Sequence, residues 1–324
     1  MNADQGHPSR PPDSRTGGPA HPAEAVRHTA SRPTPFAALH GTGAPLLLPN
    51  AWDHASAALL AGEGFAAIGT TSLGVAASAG LPDGAGATRE LTVRLARRLA
   101  AGPYLLSVDA EDGFAQDPDE VAAVARELAA AGAAGVNLED GFGPAEAHAA
   151  KIAAVKAAVP DLFVNARTDT HWLGDGTDDR DTLHRLDLYQ QAGADCVFVP
   201  GLTDPTRISA LVKSLDVPLN ILYSPSGPPV AHLADLGVRR VSLGSFLYRR
   251  ALGAVLDAVG DIRAGRPAEG TAPPYDAVQA LGRRSSRHQH QHQHQHQHLP
   301  ARSDGGTRGA RQRAVAPPDP DDRP

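Results

Sequence analysis

Ser107-Val108-Asp109-Ala110-Glu111-Asp112-Gly113-Phe114 is the stretch on which the reading of this chain turns. It continues an apolar run from Tyr104 with the character of a buried strand, and it ends in three carboxylates followed by a glycine. Side chains alternate along a strand, so Asp109 and Glu111 are expected on one side. Asp112 reads as a helix cap or a solvated loop residue. Gly135-Val136-Asn137-Leu138 ends the same way in Glu139-Asp140-Gly141, and Leu162-Phe163-Val164-Asn165-Ala166 ends in Arg167-Thr168-Asp169. Carboxylates at the C-terminal ends of successive parallel strands converge on one point, where a hard divalent cation with oxygen ligands fits. Asp109, Glu111 and Glu139 are therefore the expected metal residues, for Mg2+ or alternatively Mn2+. Magnesium keeps several of its waters, so one acid is expected to touch it and the others to hold its waters.

Working outward, the same unit repeats. Pro45–Asn50 reads as a first strand and Ala51–Ala61 as a helix, with Asp53 placed to cap it. The following strands are expected at Phe65–Ser72, Tyr104–Glu111, Ala134–Asp140, Leu162–Asp169, Asp195–Pro200, Leu219–Tyr223 and Arg239–Leu243. Helices alternate with them at Thr88–Ala101, Pro118–Ala131, Pro144–Val159, Arg180–Ala192, Pro205–Leu215, Val230–Leu236 and Phe246–Ile262. Pro118 and Pro144 stand at natural helix starts, and glycines such as Gly132, Gly193 and Gly237 at natural helix ends. Eight β/α units in about 225 residues predict a closed parallel (β/α)8 TIM barrel, with its chemistry at the strand C-termini.

The flanks differ in composition. Residues 1–34 are polar and proline-studded and are expected to be disordered; the barrel is expected over 35–282. Tyr275-Asp276-Ala277-Val278 is read as packing on the barrel. Residues 283–324 form a low-complexity tail in which His288 to His298 alternate with Gln, a pattern that binds Ni or Zn ions or is simply an expanded polar tail. That tail carries eight Arg against four Asp, so the remainder is strongly acidic within a formal charge of −6. An acidic body gives no basic face for nucleic acid. There is no apolar run of the ~20 residues that a membrane helix needs. One cysteine excludes an intrachain disulfide. The expectation is a soluble, cytoplasmic protein with a small-molecule substrate.

Arg167 points a cation toward the acids, either as a structural salt bridge or as a bidentate clamp for an anionic substrate. Gly69-Thr70-Thr71-Ser72-Leu73-Gly74 offers hydroxyls and backbone N–H groups of the kind that bind anions. The loop Ala79–Gly86 is glycine-rich, is read as mobile over the site, and contains Asp83. Cys196 is read as a small buried strand residue. His171 and Trp172 either line the mouth or belong to a loop, and Asn220 either reaches substrate or does not.

With these residues placed, the chain resembles the phosphoenolpyruvate mutase/isocitrate lyase superfamily over about residues 36–265. The resemblance is carried by Pro49-Asn50-Ala51-Trp52-Asp53, Ile68–Ser72, Gly80-Leu81-Pro82-Asp83-Gly84, Asp109–Phe114, Gly135–Asp140 and Asn165–Asp169, in that order. It implies a Mg2+-binding barrel and a homo-oligomer, dimer or tetramer, in which a C-terminal helix is exchanged between subunits. It implies Asp109 as the direct metal ligand, with Glu111 and Glu139 acting through water. It implies Arg167 and the Thr71-Ser72-Leu73 backbone as holders of a 2-oxo acid; Trp52, within the first of those motifs, and Asn220, from its place on the seventh strand, are expected to join them in binding substrate. Asp83 would be a catalytic aspartate on a mobile loop, alongside Arg167.

Chemistry shared across that superfamily makes or breaks a bond beside a pyruvyl unit, through an enolate stabilised at the metal. This chain departs from the pattern at Glu111, where mutases and many lyases have Asp. It also lacks the Lys-[Lys/Arg]-Cys-Gly-His loop of the lyases and the Lys-x-Asn loop of the mutases; Gly141–His148 stands there instead. The expectation is a C–C lyase that needs no cysteine, such as a decarboxylase of an oxaloacetate-like acid. A P–C bond enzyme (phosphonopyruvate hydrolase or phosphonomutase) is the alternative, and a non-catalytic metabolite-binding barrel is a third reading.

Overall fold

Pro49 interrupts the first strand. The computed structural model describes residues 33–174 and 179–282. In place of one strand over Pro45–Asn50 there are two short ones, β1 (Leu46–Leu48) and β2 (Asn50–Ala51). Proline has no N–H to give to a ladder, and here its carbonyl accepts from Gly69 N at 2.8 Å. Downstream lie β3 (Ala67–Thr70), β4 (Leu105–Asp109), β5 (Ala133–Glu139), β6 (Phe163–Arg167), β7 (Cys196–Val199), β8 (Leu219–Leu222) and β9 (Arg240–Ser242). All pair in parallel, in the order β1-β9-β8-β7-β6-β5-β4-β3-β2. Because β1 and β2 are two halves of one strand, that order closes the sheet into a (β/α)8 barrel. Asn50 stitches the seam: its Nδ2 donates to Thr70 O at 2.6 Å and its Oδ1 accepts from Gly244 N at 2.8 Å. Gly69 leaves it room, since a Cβ there would stand 2.6 Å from Asn50 Nδ2.

Helices α1 (Pro35–Ala38), α2 (His54–Gly62), α3 (Ser72–Ser78), α4 (Arg89–Leu99) and α5 (Pro118–Ala130) belong to the first half. Helices α6 (Ala145–Ala158), α7 (Asp179–Gln191), α8 (Pro205–Ser214), α9 (Val230–Asp235) and α10 (Phe246–Arg263) belong to the second. Local chemistry sets their ends. Asp53 caps α2 in a reciprocal box with Ser56, and Asp117 caps α5 ahead of Pro118 at its first position. Val121, Val124, Ala125 and Leu128 repeat at helical spacing and bury one face of α5 against the sheet. Gly132 ends that unit at φ +100°, and a Cβ there would lie 2.6 Å from Ala100 Cβ.

Alternation along the strands divides the apolar residues in two. Ile68, Leu106, Val108, Val136, Val164, Val197 and Val241 face the helices in the large core. Leu48, Ala67, Phe163 and Cys196 face inward and, with Phe36 from α1, plug the bottom of the barrel. His40 stacks on Phe163 at 4.4 Å, and burial, then Arg240, pull its pKa down to about 4.

Three expectations are corrected. The strand through Ser107 stops at Asp109, and Glu111 turns to φ +50°, so it does not continue the alternation. The strand expected over Phe65–Ser72 ends at Thr70, and Ser72 opens α3, whose mixed Gly/Ala/Ser sequence carries no apolar periodicity to announce it. Tyr275 and Val278 are 83% and 47% exposed, so that segment does not pack on the barrel. Residues 1–32 and 283–324, with the expected disorder and the histidine tract, lie outside the described residues. No helix among the described residues is long and apolar enough to cross a membrane.

Candidate active site

A cavity of about 450 Å³ opens at the C-terminal ends of the strands, where the barrel places chemistry. It brings together Thr71, Ser72 and Leu73 after β3, Asp83 from the glycine loop, Asp109 from β4, Glu139 from β5, and Arg167 and Asp169 from β6. Its other side is walled by Phe198, Pro200, Leu222, Tyr223, Leu243 and Phe246, with Arg249 of α10 at the edge. Four carboxylates thus meet two guanidinium groups.

Asp109 ends β4 with its own N–H on Thr70 Oγ1 (2.8 Å) and its Oδ2 accepting from Ser72 N (3.0 Å). Glu139 and Arg167 are cross-strand neighbours, with Nη1 2.5 Å from Oε2. The rest of the Arg167 fork is taken by Asp169, at 2.6 and 2.7 Å from Nη2 and Nε. Burial pushes the Glu139 carboxyl up to about 8, against the pull of Arg167 and helped by Asp109, Asp169 and Asp83. Burial also raises Asp83 and Asp169. The Arg167 guanidinium, which burial alone would lower, is held above its ordinary value by Glu139, Asp169 and Asp109. The two kinds of group shift the same way for different reasons: burial is the main cause for the carboxyls, and neighbouring carboxylates outweigh burial for the guanidinium.

Beneath this layer, Asp140 is the anchor. Its carboxylate accepts from Tyr189 Oη (2.7 Å), Phe142 N (2.8 Å), Asp169 N and Arg185 Nη1 (both 3.0 Å). Burial would raise its pKa, yet the Tyr189 hydroxyl and the two backbone N–H groups hold it below the ordinary carboxylate range. Asp140 thereby fixes Asp169, which orients Arg167.

Other expected residues fall elsewhere. Glu111 is buried and does not line the cavity; its carboxylate accepts from Thr88 Oγ1 and from Gly86 N (3.1 Å), clamping the end of the glycine loop. Burial raises its pKa too, with those two hydrogen bonds opposing. Trp52 lies outside the cavity, edge-on to Tyr248 at 5.2 Å, where it lines a separate groove with Arg94 and Arg98. Asn220 is fully buried below the site, its Nδ2 donating to Ser242 Oγ at 3.0 Å. Trp172 lines the mouth, whereas His171 turns to Arg207. Cys196 is buried in the barrel plug and its thiol is pushed up to about 12. Asp169, Asn137, Tyr223 and Arg249 line the cavity without having been singled out; the first two sit in motifs that do reach the site.

Among the described residues, no three or more His, Cys, Asp or Glu side chains form a ready-made metal cluster. Glu111 is turned onto its loop and Glu139 onto Arg167. The donor set nevertheless suits a hard cation that keeps most of its waters, since it offers carboxylate oxygens from Asp83, Asp109 and Glu139 around one cavity.

The family model for phosphoenolpyruvate phosphomutase matches residues 36–263. An uncharacterized protein of Mycobacterium tuberculosis (strain H37Rv) is 44% identical over 250 residues, covering 76% of this chain and 95% of that one. Oxaloacetate decarboxylase of Chromohalobacter salexigens is 30% identical over 171 residues, 48% of this chain and 58% of that one. Among solved structures, phosphonopyruvate hydrolase in complex with oxalate and Mg2+ superposes with a TM-score of 0.68 at 27% identity, covering 78% of this chain and 95% of that one.

Proposed function

The chain belongs to the phosphoenolpyruvate phosphomutase family, and from that premise we propose that it is a Mg2+-dependent carbon–carbon lyase that decarboxylates an oxaloacetate-like 2-oxo acid. The observation that carries this reading is the charge of the cavity. Four carboxylates against two guanidinium groups, one of them already engaged by Glu139 and Asp169, would repel an anionic substrate unless a cation joins them.

Asp109 would hold the metal directly, with Glu139 acting through its waters, while Glu111 keeps the glycine loop in place beside them. When bound, the ion supplies Lewis-acid polarisation of the substrate's 2-oxo group. The chain's own residues do the rest. Arg167 is pinned on both sides, so its orientation toward the cavity costs no rearrangement during turnover. Thr71, Ser72 and Leu73 border the pyruvyl end. The bond between C3 and the terminal carboxylate breaks, CO2 leaves, and the electron pair passes to the 2-oxo oxygen as an enolate. CO2 departs without a proton, so no cysteine acid is needed at that step. Asp83, whose carboxyl is raised by burial, then returns a proton to C3. Pyruvate formation from oxaloacetate, stopped by a chelator, tests the reading.

Asp83 also supports a second reading, P–C bond cleavage, since it lines the cavity and the phosphonopyruvate hydrolase fold superposes over most of this chain. Phosphate release from phosphonopyruvate separates the two. A homo-oligomer forms part of the same proposal: α10 exposes Leu252, Val255, Leu256, Val259 and Ile262 on a helix that begins at the cavity, an apolar surface suited to a second copy.

A further inference from the structure

Asn137 lines the cavity without a role assigned above, and Arg240 lies buried beside it. Asn137 stands on β5 between Asp109 of β4 and Asn165 of β6 in the strand registers, and two residues before Glu139, so both face the barrel interior. Its Oδ1 accepts two hydrogen bonds, from Asn165 Nδ2 at 2.8 Å and from Arg240 Nη2 at 3.1 Å. Turning the amide over would set two donors against its NH2 group, so the orientation is determined. Nδ2 is then the end left over. Asn165, Asn220 and Arg240 are 0% exposed, whereas Asn137 keeps 8% and lines the cavity.

Arg240 explains why the amide is held so firmly. Its Nε donates to Ser242 Oγ at 3.0 Å, the same oxygen that receives Asn220 Nδ2. Among the described residues it has hydrogen bonds to neutral oxygens only, and Nη1 has no protein partner. Burial pulls its pKa down to about 10, with Asp109 opposing that fall, which still leaves it charged at neutral pH. A fully buried cation with no carboxylate of its own is costly to the fold, and its link to the cavity runs through the Asn137 amide that it holds.

We propose that the Asn137 carboxamide is a hydrogen-bond donor to the substrate oxygen that becomes negative, and that Arg240 is the positioning residue that turns it toward the cavity. This rests on the 2-oxo acid reading for the identity of that oxygen. Asn137 acts by contact, and Arg240 acts through Asn137.

Oxalate, a non-reacting mimic of a pyruvate enolate, is the probe, titrated calorimetrically at saturating Mg2+ into the full chain. Asn137→Asp keeps both acceptor roles toward Arg240 and Asn165, so it folds, but it replaces the donor by a carboxylate oxygen. Oxalate binding should weaken about a hundredfold. Asn137→Ala and Arg240→Met should each weaken it about tenfold, and the double variant no more than Asn137→Ala alone, because the second acts through the first. Arg240→Lys should recover part of the loss. Wild-type affinity in Asn137→Asp overturns the proposal, as do penalties that multiply in the double variant. If Arg240→Met does not fold, Asn137→Asp and Arg240→Lys decide. A wild type that binds oxalate yet turns over no 2-oxo acid defeats the decarboxylase reading alone; one that binds no oxalate defeats both.

Discussion

Replacing Asp140 by alanine tests whether the site rests on the buried anchor beneath it. The Asp140 side chain is fully buried and that of Arg185 only 10% exposed, with Nη1 at 3.0 Å. The variant takes one of two carboxylates from that guanidinium, removes the acceptor of Tyr189 Oη, and frees the N–H groups of Phe142 and Asp169. Removing one member of a buried, hydrogen-bonded ion pair costs about 3–5 kcal/mol. Arg185 keeps Asp181 at 2.9 Å and the Gly143 carbonyl at 2.7 Å, which places the loss toward the lower end. For a domain of this size that is a fall in Tm of roughly 6–12 °C. Tyr189→Phe removes a single bond to a charged acceptor and should cost about 1.5–3 kcal/mol. Urea denaturation followed by circular dichroism measures both, and the double variant should lose less than the sum. Freed from Asp140, Asp169 no longer fixes Arg167, so the folded fraction of Asp140→Ala should bind substrate up to about a hundredfold more weakly. A loss below 1 kcal/mol, or wild-type substrate affinity, would refute the idea that Asp140 organises the mouth.

Other consequences follow from single contacts. Thr88→Val removes the hydroxyl that Glu111 accepts from; it should raise KM while leaving the melting temperature within a few degrees, and unchanged kinetics would count against the loop clamp. His40 and His148 are buried with pKa values pulled down to about 4, burial being the main cause for each. Their folded pKa lies below the unfolded value of about 6.5. The stability they contribute is therefore complete above pH 6.5 and is lost as pH falls toward 4, on the order of 3 kcal/mol for His40. His40→Gln should flatten the stability–pH curve in that window, and an unaltered slope would contradict it. Leu256→Asp on α10 places a charge on a side chain that is 74% exposed; light scattering should report a smaller particle with the monomer fold intact, and an unchanged mass would exclude that face from the interface.

Much of the fold is legible because it is local. Asp53, Pro118 and Gly132 announce helix ends through their own backbone chemistry, and eight strand-and-helix alternations leave few arrangements besides a barrel. Asp109, Glu139 and Arg167 are legible at the site because a parallel barrel gathers strand ends. What escapes the sequence depends on contacts between distant segments. Glu111 turns away because Thr88 and Gly86, more than twenty residues earlier, supply its partners. Trp52 sits in a motif beside the seam, but its ring follows Tyr248 of α10 outward. Asn137 and Arg240 are 103 positions apart and meet only when the barrel closes.

A 2-oxo acid enzyme whose carboxylates gather a cation must lose its turnover with the metal. Purified protein incubated with oxaloacetate, followed by proton NMR with and without Mg2+ and with chelator, tests it most directly. Pyruvate should form well above the rate with free Mg2+ alone, and chelator or Asp109→Ala should abolish it, with the circular dichroism of that variant unchanged. Full turnover in chelator, or no pyruvate from folded, Mg2+-loaded protein, would contradict it.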